Sequence, residues 1–200
     1  MPETITDLIP QFVRLQSDLT AEWHSSEPHA AGTNLTDLVR QNHYFNFMLW
    51  HEEDIARRDD LGFERIAQAK RAIDRYNQLR NNFIEEMDKA LIHLLMPALS
   101  GCPKNSETPG MMLDRLSILA LKEFHMREET QRSDATASHV ENCQTKLVRI
   151  VKQRGDLADC LSELIDDVLA QRRTFAVYYQ FKMYNDPALN PQLYGASEKS

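Results

Sequence analysis

The stretch FERIAQAKRAIDRYNQLRNNFIEEMDKALIHLLM, residues 63–96, decides the fold. It holds no glycine and no proline. Its apolar residues Phe63, Ile66, Ile73, Ile84, Leu91 and Leu95 return at multiples of the helical turn, where a half-buried strand would alternate at every second position. The spacing predicts one helix of about nine turns. It should stop at Pro97, because proline pushes the residue before it out of helical geometry.

The same period recurs on both sides. Upstream, a helix from Ile9 to His24 carries Phe12, Leu15, Leu19 and Trp23, with Pro10 in its first turn. A second opens at Asn34, with Asp37 three residues on, and runs to about Asp60, where Gly62 breaks it. Downstream, Thr108-Pro109 reads as an N-cap followed by proline at the first helical position, which starts a helix reaching Thr130. Ser133 or Asp134 caps a fifth helix that Gly155 ends, and Asp156 caps a sixth that reaches Tyr184. The tail from Asn185 to Tyr194 combines turn residues with apolar anchors and should be ordered. The expectation is a single all-α domain over residues 1–200, a bundle of about six helices with two long ones antiparallel.

Composition narrows the chemistry. The chain has 200 residues, 42% hydrophobic and 26% charged, with a net charge of −7. That balance lacks the basic footprint a nucleic-acid binder or a membrane-surface helix needs. No apolar run approaches the length of a membrane span, and no signal segment opens the chain. Cys102, Cys143 and Cys160 form no CxxC pair, so reduced thiols in a cytoplasmic protein are expected. The glycines never cluster, which removes the sequence handles of dinucleotide, P-loop and α/β-hydrolase sites. His51…Asp54 and His125…Glu128 reverse the ExxH order of ferritin-like carboxylate sites, so neither a metal nor another cofactor is expected.

Helical wheels place polar residues on the inward stripes. On the second helix these are Asn42, Asn46, Glu53 and Arg57, with Trp50 beside them, Asp54 at the flank and His51 on the opposite, solvent-facing side. On the third, Lys70, Asn77, Asn81 and Asp88 share the apolar line, with Asp74 and Arg80 at its edges. The fourth helix, apolar nearly all round and hence central, carries Asp114 and His125, with Arg115 and Lys122 adjoining. The sixth places Arg172, Tyr179 and Lys182 among aliphatic residues, and the aromatics Tyr178, Tyr179, Phe181 and Tyr184 read as packing. Burying unpaired charge costs several kcal/mol, so polar groups on four inward faces must meet one another, water or a ligand.

The run from Asn46 to Arg57, NFMLWHEEDIAR, resembles a signature of the domain-of-unknown-function family 4254. So do Ile73-Asp74 with Asn77 to Asn81, Glu107 to Gly110 with Asp114 to Ile118, and the closing Tyr184 to Pro187 with Leu189 to Pro191. The resemblance implies a bacterial, cytoplasmic helical protein. It also implies a link to glycosyltransferases of cell-surface polysaccharide assembly, and it brings no activity with it. Two functions are expected as alternatives. In the first, a polar cavity inside the bundle binds or processes a phosphorylated or glycosyl small molecule. Glu53, Asp114 and His125 are its proton-handling candidates, and Asn46, Trp50, Arg57, Lys70, Asp74, Asn77, Asn81 and Arg115 its ligand contacts. In the second, the chain is a non-catalytic adaptor for a glycosyltransferase and the polar network is structural. A homodimer is compatible with either.

Overall fold

The computed structural model describes residues 5–181, 183, 186 and 188–194. Of the expected tail, Asn185 and Pro187 lie outside the described residues, as do Lys182 and Tyr184; in the rest, Leu189 and Asn190 donate their N–H groups to the Asp186 carbonyl in a turn. Among the described residues there is no strand, and five long helices build the fold: α1 (Ile5–Trp23), α2 (Leu35–Ile55), α3 (Gly62–Leu95), α4 (Pro109–Thr130) and α5 (Ala137–Leu169). One turn of 3-10 helix (Asp59–Leu61) joins α2 to α3, and a four-residue helix, α6 (Pro191–Tyr194), stands near the end.

Helix α4 is central and touches each of the other four long helices. Its start is specified locally: Thr108 accepts from the Met111 N–H, and Pro109 sits where a missing N–H costs nothing. Helix α2 opens with a full capping box between Asn34 and Asp37. Side-chain pairs fix the directions. Thr20 meets His43 and His24 meets His51, while Asn42 meets Asp114 and Trp50 meets His125, so α1, α2 and α4 run the same way. Arg80 reaches Asp114 and Asp88 reaches Gly110, so α3 runs against α4. Arg154 reaches Glu123, and His139 at the start of α5 reaches Glu129 at the end of α4, so α5 does the same. The main core gathers Phe12, Met87, Leu91, Leu113, Leu116, Leu161 and Ile165, all nearly inaccessible, and a smaller cluster holds Leu19, Trp23, Phe47 and Leu121.

Among the described residues the expected sixth main helix is absent, because its first part belongs to α5. Helix α5 passes straight through Gly155, whose Cα hydrogens face open space. The buried residues Cys143, Arg154, Leu157, Leu161, Leu164 and Val168 continue one stripe across it. A single exposed glycine costs about 1 kcal/mol, too little to stop a helix whose flanks are both anchored. Thr136, not Ser133 or Asp134, caps α5, and Asp156 pairs with Lys152 within it.

The helix ends at Leu169, far short of Tyr184. Gln171 turns left-handed at φ 56°, the Arg172 N–H bonds to Asp167 O, and the Gln171 N–H bonds to Val168 O. That is a full Schellman stop with glutamine in the place glycine usually takes. The chain then runs extended, and Thr174 bridges to Lys104 while Phe175 enters the core. Arg172 pairs with Asp167 at the surface, and Tyr178, Tyr179 and Phe181 are exposed, so these residues do not face a helical interior. Helix α1 also begins a turn earlier than expected, which moves Pro10 out of the first turn.

Candidate functional site

The floor of the site is a polar chain in the middle of the bundle. Asn42, His43 and Asn46 on α2 and Asp114 and Ser117 on α4 are all buried. Asp114 Oδ1 accepts from Asn42 Nδ2 at 3.0 Å and from Asn46 Nδ2 at 2.8 Å, while Oδ2 lies 3.6 Å from the Arg80 guanidinium on α3. Asn46 also donates to Ser117 Oγ at 3.0 Å. Ser117 Oγ lies 2.8 Å from His43 Nδ1, and His43 Nε2 lies 3.0 Å from Thr20 Oγ1, which donates to Gln16 O.

Because the Thr20 proton is committed to Gln16 O, His43 Nε2 must be the donor to Thr20, and its Nδ1 accepts from Ser117. The chain thus has one direction, from Asn46 to the carbonyl of Gln16. It needs a neutral imidazole, and complete burial with Arg154 nearby lowers the His43 pKa to about 3. The network ties α1, α2, α3 and α4 together with nearly every polar atom satisfied.

Above this floor an open cleft of about 340 Å³ lies between α2, α3 and α4. Asn46, Trp50, Glu53 and Arg57 reach it from α2, and Asn77 and Arg80 from α3. Successive turns of α2 place 46, 50, 53 and 57 on one line, and the antiparallel α3 sets 77 and 80 opposite. Glu53 is paired with Arg57 in its own helix at 2.6 Å, with both side chains well exposed. Asp54, on the rim, is exposed. Arg80 differs from Arg57. Its side chain is 24% exposed, and among the described residues its one ion pair is the long one to Asp114 and its buried Nε has no hydrogen-bond partner.

Trp50 forms the wall toward α4, stacked on His125 with centroids 4.7 Å apart and planes 10° from parallel. His125 lies 2.9 Å from Glu128 through Nδ1, and its buried Nε2 has no partner among the described residues. Burial lowers the pKa of His125 and also that of His51, on which His24 and His125 act in the same sense. His51 is not solvent-facing: it is half-buried against His24, Phe47 and His125. A single buried stripe does not describe α2, which is packed by α1 and α4 as well as α3 and has no wholly free side.

The remaining expected residues are scattered. Lys70 and Asp74 form an exposed pair at 3.5 Å on the outer face of α3, not the inward line the wheel gave them. In these turns Ala69 and Ile73 are buried, so the buried line passes through 69 and 73 and leaves 70 and 74 outside it. Asn81 is buried. Arg115 is exposed, paired with Glu107, and borders a different cleft between α4 and α5 with Lys122 and Asp156. Of the three proton-handling candidates, Glu53 lines the cleft, Asp114 lies in its floor and His125 stands behind Trp50. Asp54, read at the flank of α2 beside Glu53 and Arg57, stands at the rim, and His43 and Ser117, which the helical pattern does not mark as site residues, complete the site. The signal for His43 was its position one turn before the core residue Phe47 and one after Val39.

The sequence profile of a family described as a protein of unknown function, DUF4254, matches residues 36–177. No curated protein and no solved structure matches the chain.

Proposed function

The chain belongs to the DUF4254 family, and from that premise we propose that the cleft between α2, α3 and α4 binds a small phosphorylated or glycosyl molecule. Arg80 carries the reading. A guanidinium bordering a cleft, with a buried donor unfilled and its counter-ion at arm's length, is equipped to take an anionic oxygen. Around it, Asn77 offers an amide, Glu53 and Asp54 accept from hydroxyls, and Trp50, which lines the cleft, suits the apolar face of a sugar ring. Glu53 is the carboxylate placed to handle a proton on such a ligand; Asp114 acts through Arg80 and Asn46 as a positioning residue.

The test uses the tryptophans. Trp23 is buried in the small core and Trp50 lines the cleft, so ligand binding should change the emission of Trp50. Titration of the Trp23→Phe variant with sugar phosphates and nucleotide sugars should give a saturable change. Arg80→Gln should abolish it while the helical circular dichroism persists. No saturable change with either class, at concentrations that raise no melting temperature, refutes the reading.

The adaptor alternative draws on another place. A groove beside the end of α3 is lined by Ile92, Met96, Leu99 and Val177, with Met96 and Leu99 largely exposed. We propose a glycosyltransferase partner there as the second reading. Charged substitutions at Met96 and Leu99 would abolish complex formation under that reading and leave cleft titrations unchanged under the first.

A further inference from the structure

At the other end of α4 three ligand-type atoms converge. Glu129 comes from the last turn of α4, and His139 and Cys143 come from the first turns of α5, four residues apart and so on one face. His139 Nε2 lies 2.8 Å from Glu129 Oε2 and 3.4 Å from Cys143 Sγ, and all three atoms lie within 4.8 Å of one another. Cys143 is buried. The His139 backbone is pinned by the Thr136 cap, so the imidazole and the thiol sit on a rigid element.

The arrangement is not a catalytic triad. In a triad the acid and the nucleophile address different nitrogens of the ring. Here both address Nε2, so three ligand-type atoms face one point, and an N–H on Nε2 that serves Glu129 leaves the Cys143 thiol proton no acceptor on that nitrogen. A cation at that point resolves the crowding.

We propose that Glu129, His139 and Cys143 form a mononuclear transition-metal site of the zinc class. One thiolate, one imidazole and one carboxylate are the mixed donor set that Zn²⁺ accepts in four-coordinate sites, with a fourth position left for water. Zinc bond lengths at tetrahedral angles put nitrogen and sulfur ligands about 3.5 Å apart and nitrogen and oxygen about 3.3 Å apart. The observed 3.4 Å N···S separation therefore already fits, and the 2.8 Å N···O contact has to open slightly.

On binding, the thiol proton leaves to solvent and the Nε2 proton is replaced by one on Nδ1, so one proton is released per ion. Thiolate and carboxylate neutralise the dication. Arg132, which now shares Glu129, is not stranded, because Asp134 already holds it through Nε and a second guanidinium nitrogen at 3.1 and 2.9 Å. The ferritin-like ExxH pattern does not cover this site, which is an HxxxC pair completed by a glutamate from another helix.

The test titrates reduced, metal-free protein with Co²⁺ and then displaces it with Zn²⁺. One equivalent of Co²⁺ should produce a thiolate-to-cobalt charge-transfer band with the strong visible bands of a four-coordinate ion, and Zn²⁺ should bleach both. The band should vanish in Cys143→Ser and persist in Cys160→Ser and Cys102→Ser. Glu129→Gln, at an exposed carboxylate, should keep the fold and weaken Zn²⁺ by at least about 100-fold, more than an outer-shell change does. Absence of the band in the wild type, or its survival in Cys143→Ser, overturns the proposal.

Discussion

Two buried ionisable residues set opposite pH dependences. His43 is neutral in the fold, with its pKa lowered to about 3, whereas the unfolded chain takes up a proton near 6.5. The unfolded state therefore binds more protons between those values, and the contribution of His43 to stability is present above pH 6.5 and lost as pH falls toward 3. Urea unfolding from pH 7 to 4 should show this loss, and His43→Gln should flatten it while lowering stability at pH 7. Asp88 works the other way. Its carboxylate is buried beneath the start of α4, accepts from the Gly110 N–H at 2.7 Å, and is pushed by burial to about 6. Here the native state holds the extra proton, so stability is fullest below about pH 3.8 and is lost as pH rises through 6. Asp88→Asn keeps an acceptor for Gly110 and removes the buried charge. It should be more stable than the wild type above pH 6, by on the order of 2 kcal/mol. A variant less stable than the wild type at pH 8 would show that attraction to the helix N-terminus outweighs the desolvation.

The helices stop and meet through a few backbone positions that substitution can probe. Gln171 holds the left-handed residue of the α5 stop, so Gln171→Gly should gain about 1 kcal/mol by removing the strain of its side chain. Gly155 lies within α5 with open space around it, and Gly155→Ala should gain about 0.5–1 kcal/mol. Gly110 is the contrary case. A Cβ there would stand 2.6 Å from the Ile84 carbonyl oxygen and 2.7 Å from Asp88, where α3 and α4 touch backbone to backbone. Gly110→Ala should therefore separate the two helices and lower the melting temperature; no change would mean that the contact is looser than described. Two of these positions, Gly155 and Gln171, mark the limit of what neighbouring residues specify. The Thr108-Pro109 start and the Pro97 stop depend on neighbouring residues alone and were legible. The passage through Gly155 and the stop at Gln171 depend on what the flanking turns pack against, and each uses a residue whose intrinsic preference points the other way.

Across the whole molecule, burial separates the three carboxylates that a sequence reading treats alike. Asp74 is exposed with Lys70, and Glu53 is well exposed with Arg57, so Asp74→Asn and Glu53→Gln should change stability by less than about 0.5 kcal/mol. Asp114 holds two buried amides and Arg80 at the centre of the bundle. Asp114→Asn should cost about 3–5 kcal/mol, measured by thermal or urea unfolding of the three variants together. Equal effects would mean that the exposure pattern is wrong. Helical period, the capping residues and the absence of breakers are properties of neighbouring residues. They were enough to specify an all-helical chain, its long α3, the central place of the apolar α4 and the clustering of Asn46, Trp50, Glu53 and Arg57 along α2. Whether Lys70 and Asp74 reach the cleft, whether His51 is enclosed, and that His43, Ser117 and Arg80 complete the site were settled by packing. A wheel reports direction about one helix axis. Burial depends on how many neighbours surround that axis, and α2, flanked on three sides, hides residues that any single stripe would leave in water.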